Sequence, residues 1–196
     1  YGTAETGKFP ERLKPINIRV DVDVQKEFRS IREINSEIRR LNLSAYAPLR
    51  YVLPHKQAAY DAKYNTQVKG GQGFFRQVDR EESLIHLLRV NILKRMESAV
   101  SSFALTIKRQ LRDVEALLQR IESHEESVEE VSIEDIEVDD PLFETLTVGR
   151  KVKVLLQDTD RVRWRQDLTE DRNRLATLLS AAEQIEPARA AKLDAL

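Results

Sequence analysis

Apolar residues recur every three or four positions along most of this chain and alternate with polar ones in two short runs. The first run, Ile16-Asn17-Ile18-Arg19-Val20-Asp21-Val22, has the period of two that sends successive side chains to opposite faces of a β-strand. The second lies in residues 148–156, where Val152 and Val154 alternate with Lys151 and Lys153. Together they predict a two-stranded antiparallel ribbon joining 16–22 to 148–156, with a strand of a larger parent protein as the alternative partner of 16–22.

Helical spacing dominates elsewhere. Phe28, Ile31, Ile34, Ile38 and Leu41 share one face of a helix over 24–41. Ser44 suits the cap of a short helix running into Pro48, and Pro54 the first turn of another reaching Tyr64. Gly70, Gly71 and Gly73 mark a connector. From 78 to 122 the pattern predicts one long helix, about 65 Å at ~1.5 Å per residue. Leu93, Val100, Ile107, Val114 and Ile121 repeat every seven residues, with Met96, Phe103 and Leu117 at the companion position and Gln110 interrupting. Such a stripe needs cover, because isolated helices are marginal in water. A return helix over 161–185 offers Val162, Leu168, Leu175, Leu178, Leu179, Ala182 and Ile185, with Trp164 as an anchor between helices. A second copy of the chain is the other candidate, so a monomer or a weak homodimer is expected. The fold class that follows is mainly α: one unit over 1–196, built on a long antiparallel, coiled-coil-like helical arm with additional packing helices and the small two-stranded β ribbon.

Charge refines this picture. Between residues 76 and 120 lie nine bases and six acids, whereas residues 122–144 hold eleven acids and no Lys or Arg. Removing that −11 from the chain's formal −1 leaves +10 for the rest. Few apolar residues and high charge predict a flexible acidic loop over 125–140 at the turnaround of the arm. Aromatics are only 6 %, so the core must rest on Leu, Ile, Val and Ala. The absence of cysteine excludes disulfides and thiolate chemistry. His55, His86 and His124 are far apart and match no metal-ligand spacing. No apolar run approaches the 18 residues of a membrane span, and a cytoplasmic location is expected. The chain begins without Met and ends inside a helical pattern, so it is expected to be an internal piece of a larger protein.

Motifs for chemistry are sparse. Gly70-Gly71-Gln72-Gly73 lacks the Gly-Lys-Ser/Thr that places a lysine at nucleotide phosphates. Asp139-Asp140 and the preceding glutamates fit no calcium loop, and an acidic loop gives no dry cleft in which to separate two carboxyl pKa values. No catalytic residue, metal or cofactor is therefore assigned within the chain. The basic residues Arg76, Arg80, Arg89, Lys94 and Arg95 are candidates for contact with a phosphate backbone. Pairing with Asp79, Glu81, Glu82 and Glu97 is the competing reading. Structural roles fall to Trp164, Tyr51, Leu93, Val100, Phe103 and Ile107. Tyr46, Tyr51, Tyr60 and Tyr64 suit a core with hydrogen-bonded hydroxyls, with base stacking as the alternative.

Three stretches carry a resemblance: Pro48-Leu49-Arg50-Tyr51-Val52-Leu53-Pro54; Phe75-Arg76-Gln77 through Asp79-Arg80-Glu81; and Leu88-Arg89-Val90-Asn91-Ile92-Leu93-Lys94-Arg95-Met96-Glu97-Ser98. They resemble bacterial SNF2-like, superfamily 2 helicase-related proteins of the phage-defence and restriction-associated group. There, this region lies between two RecA-like lobes. The resemblance implies a parent that couples ATP and Mg²⁺ chemistry to movement on duplex DNA. It also implies that this piece, lacking the motor motifs, braces the lobes and contacts the DNA backbone rather than hydrolysing ATP. The opposing expectation is a free-standing coiled-coil interaction module with no nucleic-acid role.

Overall fold

The computed structural model describes residues 29–67, 74–123, 130–132 and 152–184. These form a mainly α unit with five α-helices: α1 (Ile31–Arg39), α2 (Pro54–Tyr64), α3 (Gln77–Ser98), α4 (Val100–Ser123) and α5 (Arg161–Glu183). Local chemistry sets their starts. Ser30 and Glu33 form a reciprocal capping box at α1, each side chain accepting the other's backbone N–H. Pro54 opens α2, where its missing N–H costs nothing. The Asn65 side chain at the end of α2 accepts the Gln77 N–H at 2.9 Å and so caps α3 from the preceding element. Asp160 caps α5 by accepting from the Arg163 N–H at 3.0 Å.

The single helix expected over 78–122 is two helices. Ala99 between them is extended (φ −162°, ψ 142°), so the axis turns there. Its N–H still closes α3 on the Arg95 carbonyl, and its carbonyl accepts the Phe103 N–H that opens α4. The register changes with it. In α4 the buried positions Val100, Phe103, Ile107, Gln110, Val114, Leu117 and Ile121 follow a three-four repeat, with Leu118 buried beside it. In α3 they are Glu81, Leu84, Ile85, Leu88, Ile92 and Met96, ending in successive steps of four. At about 100° per residue, a step of four drifts by about 40°, so one straight helix cannot keep both stripes inward. Extending the α4 heptad backwards selects Leu93, which is only half-buried, while neighbouring Ile92 is fully buried. The expected long arm is corrected accordingly.

The expected ribbon is corrected as well. Strand β4 (Lys153–Leu155) pairs antiparallel with β3 (Glu130–Ser132), Val131 opposite Val154; the proposed partner 16–22 lies outside the described residues. The other edge of β4 is taken by two tyrosines from α2. The Tyr64 hydroxyl donates to the Lys153 carbonyl at 2.6 Å and accepts the Lys153 N–H at 2.8 Å, and the Tyr60 hydroxyl accepts the Leu155 N–H at 3.0 Å. Both edges of β4 are thus satisfied without a third strand. β3 also falls inside the stretch expected to be an acidic loop; the rest of 125–140 lies outside the described residues. A second short pair joins β1 (Thr66–Gln67) to β2 (Phe74–Phe75).

Helices α4 and α5 make the most extensive helix pair. Beneath them and α3 runs residues 41–53, with 3₁₀ turns at Ser44–Tyr46 and Pro48–Tyr51, most of it buried. Leu41, Leu43, Tyr46, Leu49 and Tyr51 join Ile92, Phe103, Ile107, Trp164, Leu168 and Leu175 in one apolar core. Removing the Tyr64 hydroxyl takes away a donor to the Lys153 carbonyl and an acceptor of its N–H. Tyr64→Phe should therefore cost about 1–3 kcal/mol in denaturant unfolding; an unchanged midpoint would show that the tyrosine edge contributes nothing.

Candidate functional site

Segment 41–53 is gripped by polar side chains from every long helix. From α5, the Asp171 carboxylate is fully buried and accepts from Asn42 N–H at 2.7 Å, Ser44 N–H at 2.8 Å and Ser44 Oγ at 2.7 Å. Between those amides sits Leu43 in the left-handed region (φ 51°, ψ 41°), the one non-glycine residue with positive φ among those described. A side chain there costs about 1–2 kcal/mol. The buried Leu43 side chain and the carboxylate holding the amides on either side offset that strain. Burial raises the Asp171 pKa, and the hydrogen bonds from residues 42–44 oppose the rise.

One turn back on α5, Asp167 accepts the Tyr51 hydroxyl at 2.7 Å. Another turn back, Trp164 Nε1 donates to the Ser44 carbonyl at 3.1 Å, and its ring stacks on Tyr51 with centroids 5.2 Å apart and planes 6° from parallel. From α4, Asp113 accepts the Tyr46 hydroxyl at 2.8 Å. From α3, Glu81 accepts the Leu49 N–H at 3.1 Å, and Arg89 donates to the Leu41 carbonyl at 2.7 Å. Glu81 is buried, which pushes its pKa well above the ordinary carboxylate value; the Leu49 N–H and the Arg50 charge pull the other way. Just before α5, Asp158 accepts the Tyr60 hydroxyl at 3.0 Å and pairs with Lys56 at 3.1 Å. Burial, with Asp158 adding to it against the Leu155 N–H, pushes Tyr60 up to about 12. All four tyrosines therefore hold structure through their hydroxyls.

The predicted phosphate contacts do not form one group. Arg76 is the exposed residue preceding α3, Lys94 is exposed, and Arg80 and Arg95 are half-buried. Arg89 is turned inward, and burial followed by the nearby Arg50 charge lowers its pKa. Among the predicted structural residues, Trp164, Tyr51, Val100, Phe103 and Ile107 lie in the core, and Leu93 packs at its edge. The acids that hold the segment were not singled out from sequence. Their signal was present: Asp171 lies between Leu168 and Leu175 on the apolar face of α5, and Glu81 lies four residues before Ile85 on that of α3. A carboxylate at a core position needs donors, and here backbone amides supply them.

Among the described residues, no group of His, Cys, Asp and Glu could hold a metal ion, and no helix is long and apolar enough to cross a membrane. Compared with protein-family models, with curated proteins and with solved structures, the chain matches none of them.

Asp171→Asn replaces an acceptor with an amide donor facing N–H and O–H groups. It should destabilise the fold by about 3 kcal/mol, read from the emission of Trp164, the single tryptophan, which reports on the same segment. A shift below about 0.5 kcal/mol would show that the grip contributes little. Because the Glu81 pKa is raised in the fold, its contribution is full below the ordinary carboxylate pKa and is lost as pH rises through the raised value. Glu81→Gln keeps an acceptor for Leu49 without the charge. Its melting temperature at pH 8 should exceed that of the parent chain, and the gap should close towards pH 4; a constant gap would argue against a buried charge.

Proposed function

We propose that this chain is the helical insertion between the RecA-like lobes of an ATP-dependent SNF2-like DNA motor, and that it braces those lobes in the cytoplasm. One observation carries the reading. The first of the three stretches that bear the resemblance lies in the buried segment and packs against the second and third, which share helix α3, so that they build one interior. Glu81 of the second accepts from Leu49 of the first, while Leu88, Ile92 and Met96 of the third enter the same core and Arg89 holds the Leu41 carbonyl. Stretches that pack on one another make a self-contained unit, which suits an insertion.

The course of the chain agrees with an insertion. Ser44 contacts Trp164, Asn42 contacts Asp171 and Glu37 pairs with Arg174 at 3.4 Å, so this segment runs against the direction of α5. The start of α1 is thereby carried towards the C-terminal end of α5, the arrangement in which a module hangs from its host by two neighbouring connections. The competing coiled-coil module needs an open seam for a second copy. Val100, Phe103, Ile107, Val114 and Ile121 are instead buried within the chain, leaving that seam no free face.

The test uses the full-length parent. Replacing residues 31–183 with a short Gly/Ser linker should leave both lobes folded and abolish most of the DNA-stimulated ATPase rate. A rate within twofold of the intact protein would overturn the bracing role, and flanking sequence without motor motifs would overturn the class.

A further inference from the structure

Two buried carboxylates hold segment 41–53, and their surroundings differ. Asp171 accepts from two amides and a hydroxyl. Glu81, only 3 % exposed, accepts the Leu49 N–H alone, shared between its two oxygens at 3.1 and 3.5 Å. An ionised carboxylate offers about four lone-pair sites. Among the described residues nothing else donates to Glu81, and no cation forms an ion pair with it. A neutral carboxyl suits that setting better, because an unpaired O–H costs less inside a protein than a bare charge. A cation able to pair with Glu81 sits beside the amide that it holds. Arg50 follows Leu49, their Cα atoms about 3.8 Å apart, and its long side chain can reach back to the carboxyl. Arg50 is half-buried and makes no hydrogen bond or ion pair with a described residue. Helices α1 and α4 and both 3₁₀ turns pack on α3; of the charges they bring, that of Arg50 acts on Glu81. Arg50 also lies near Arg89, about two turns further along α3, which is held by the Leu41 carbonyl and faces the Asp171 charge as well. Like charge at Arg89 repels Arg50, while an ionised Glu81 attracts it.

We propose that Glu81 and Arg50 form a proton-operated latch on segment 41–53: loss of the Glu81 proton to solvent draws the Arg50 guanidinium inward onto the carboxylate, beside the Leu49 N–H that it already accepts. The movement reaches the aromatic anchor, because Tyr51 follows Arg50 and stacks on Trp164. Burial keeps Glu81 neutral to a higher pH than an ordinary carboxyl, with the Leu49 N–H and Arg50 opposing it, so the latch closes above the usual carboxylate range. The closed pair replaces a bare buried charge with a hydrogen-bonded one and offsets part of the stability lost when Glu81 ionises. This device belongs to the module itself and does not depend on the motor reading.

Nuclear magnetic resonance of the 196-residue chain, titrated from about pH 4 to about pH 10, provides the test. The Leu49 amide and the Arg50 guanidinium carbon should titrate together, with one midpoint above the ordinary carboxylate range. Glu81→Gln keeps an acceptor for Leu49 and should abolish both transitions. Above the midpoint, the Arg50 Nε–H should exchange about tenfold more slowly in the parent chain than in the E81Q variant at the same pH. Arg50→Gln should keep the Leu49 transition and move it to higher pH, since the cation favours the ionised carboxylate; Arg50→Lys should bring it back towards the parent midpoint. An Arg50 signal that stays flat while Leu49 titrates would overturn the latch. So would a Leu49 midpoint that Arg50→Gln leaves in place, or loss of all dispersed amide signals at the midpoint. Failure of the lobe-bracing experiment would leave these outcomes unchanged, so the two ideas fall separately.

Discussion

The buried carboxylate of Asp171 is the contact on which the rest of the structure depends. It fixes a left-handed turn at Leu43, and that turn sets the path of residues 41–53 beneath three helices. Once this path is set, Tyr46, Leu49 and Tyr51 arrive where Asp113, Glu81 and Asp167 receive them. An irregular segment cannot satisfy its own backbone as a helix does, so burying it requires acceptors and donors from outside. Each long helix contributes at least one. The interior is therefore specified by polar contacts laid over an apolar core, rather than by apolar packing alone.

This arrangement has a surface consequence. Carboxylates drawn inward to hold amides and hydroxyls no longer offset the cations outside. Formal net charge thus understates how basic the described surface is.

Much of the helical content was legible in the sequence because amphipathic spacing is local. The stripe of α4, the apolar face of α5 and Trp164 as an anchor could be read directly. The break at Ala99 could not be read as readily, since no Gly or Pro marks it and alanine is the best helix former. Its cause is the clash of two stripes: Leu88, Ile92, Met96 and Val100 step by four, while the heptad beyond steps by three and four. The partner of β4 was misread because strand pairing is non-local, and because tyrosine hydroxyls from a helix can stand in for a neighbouring strand. Arg89 was assigned to the surface by charge alone, when its target is a backbone carbonyl inside.

Native-state hydrogen exchange tests the central claim most directly. If Asp171 and Glu81 fix segment 41–53 as part of the core, the amides of Asn42, Ser44 and Leu49 exchange only through global unfolding. Their protection would then equal that of Ile107 and Leu168, although the first three lie outside any α-helix. Exchange of these amides a hundredfold or more faster than the helical core, by local opening, would contradict the account.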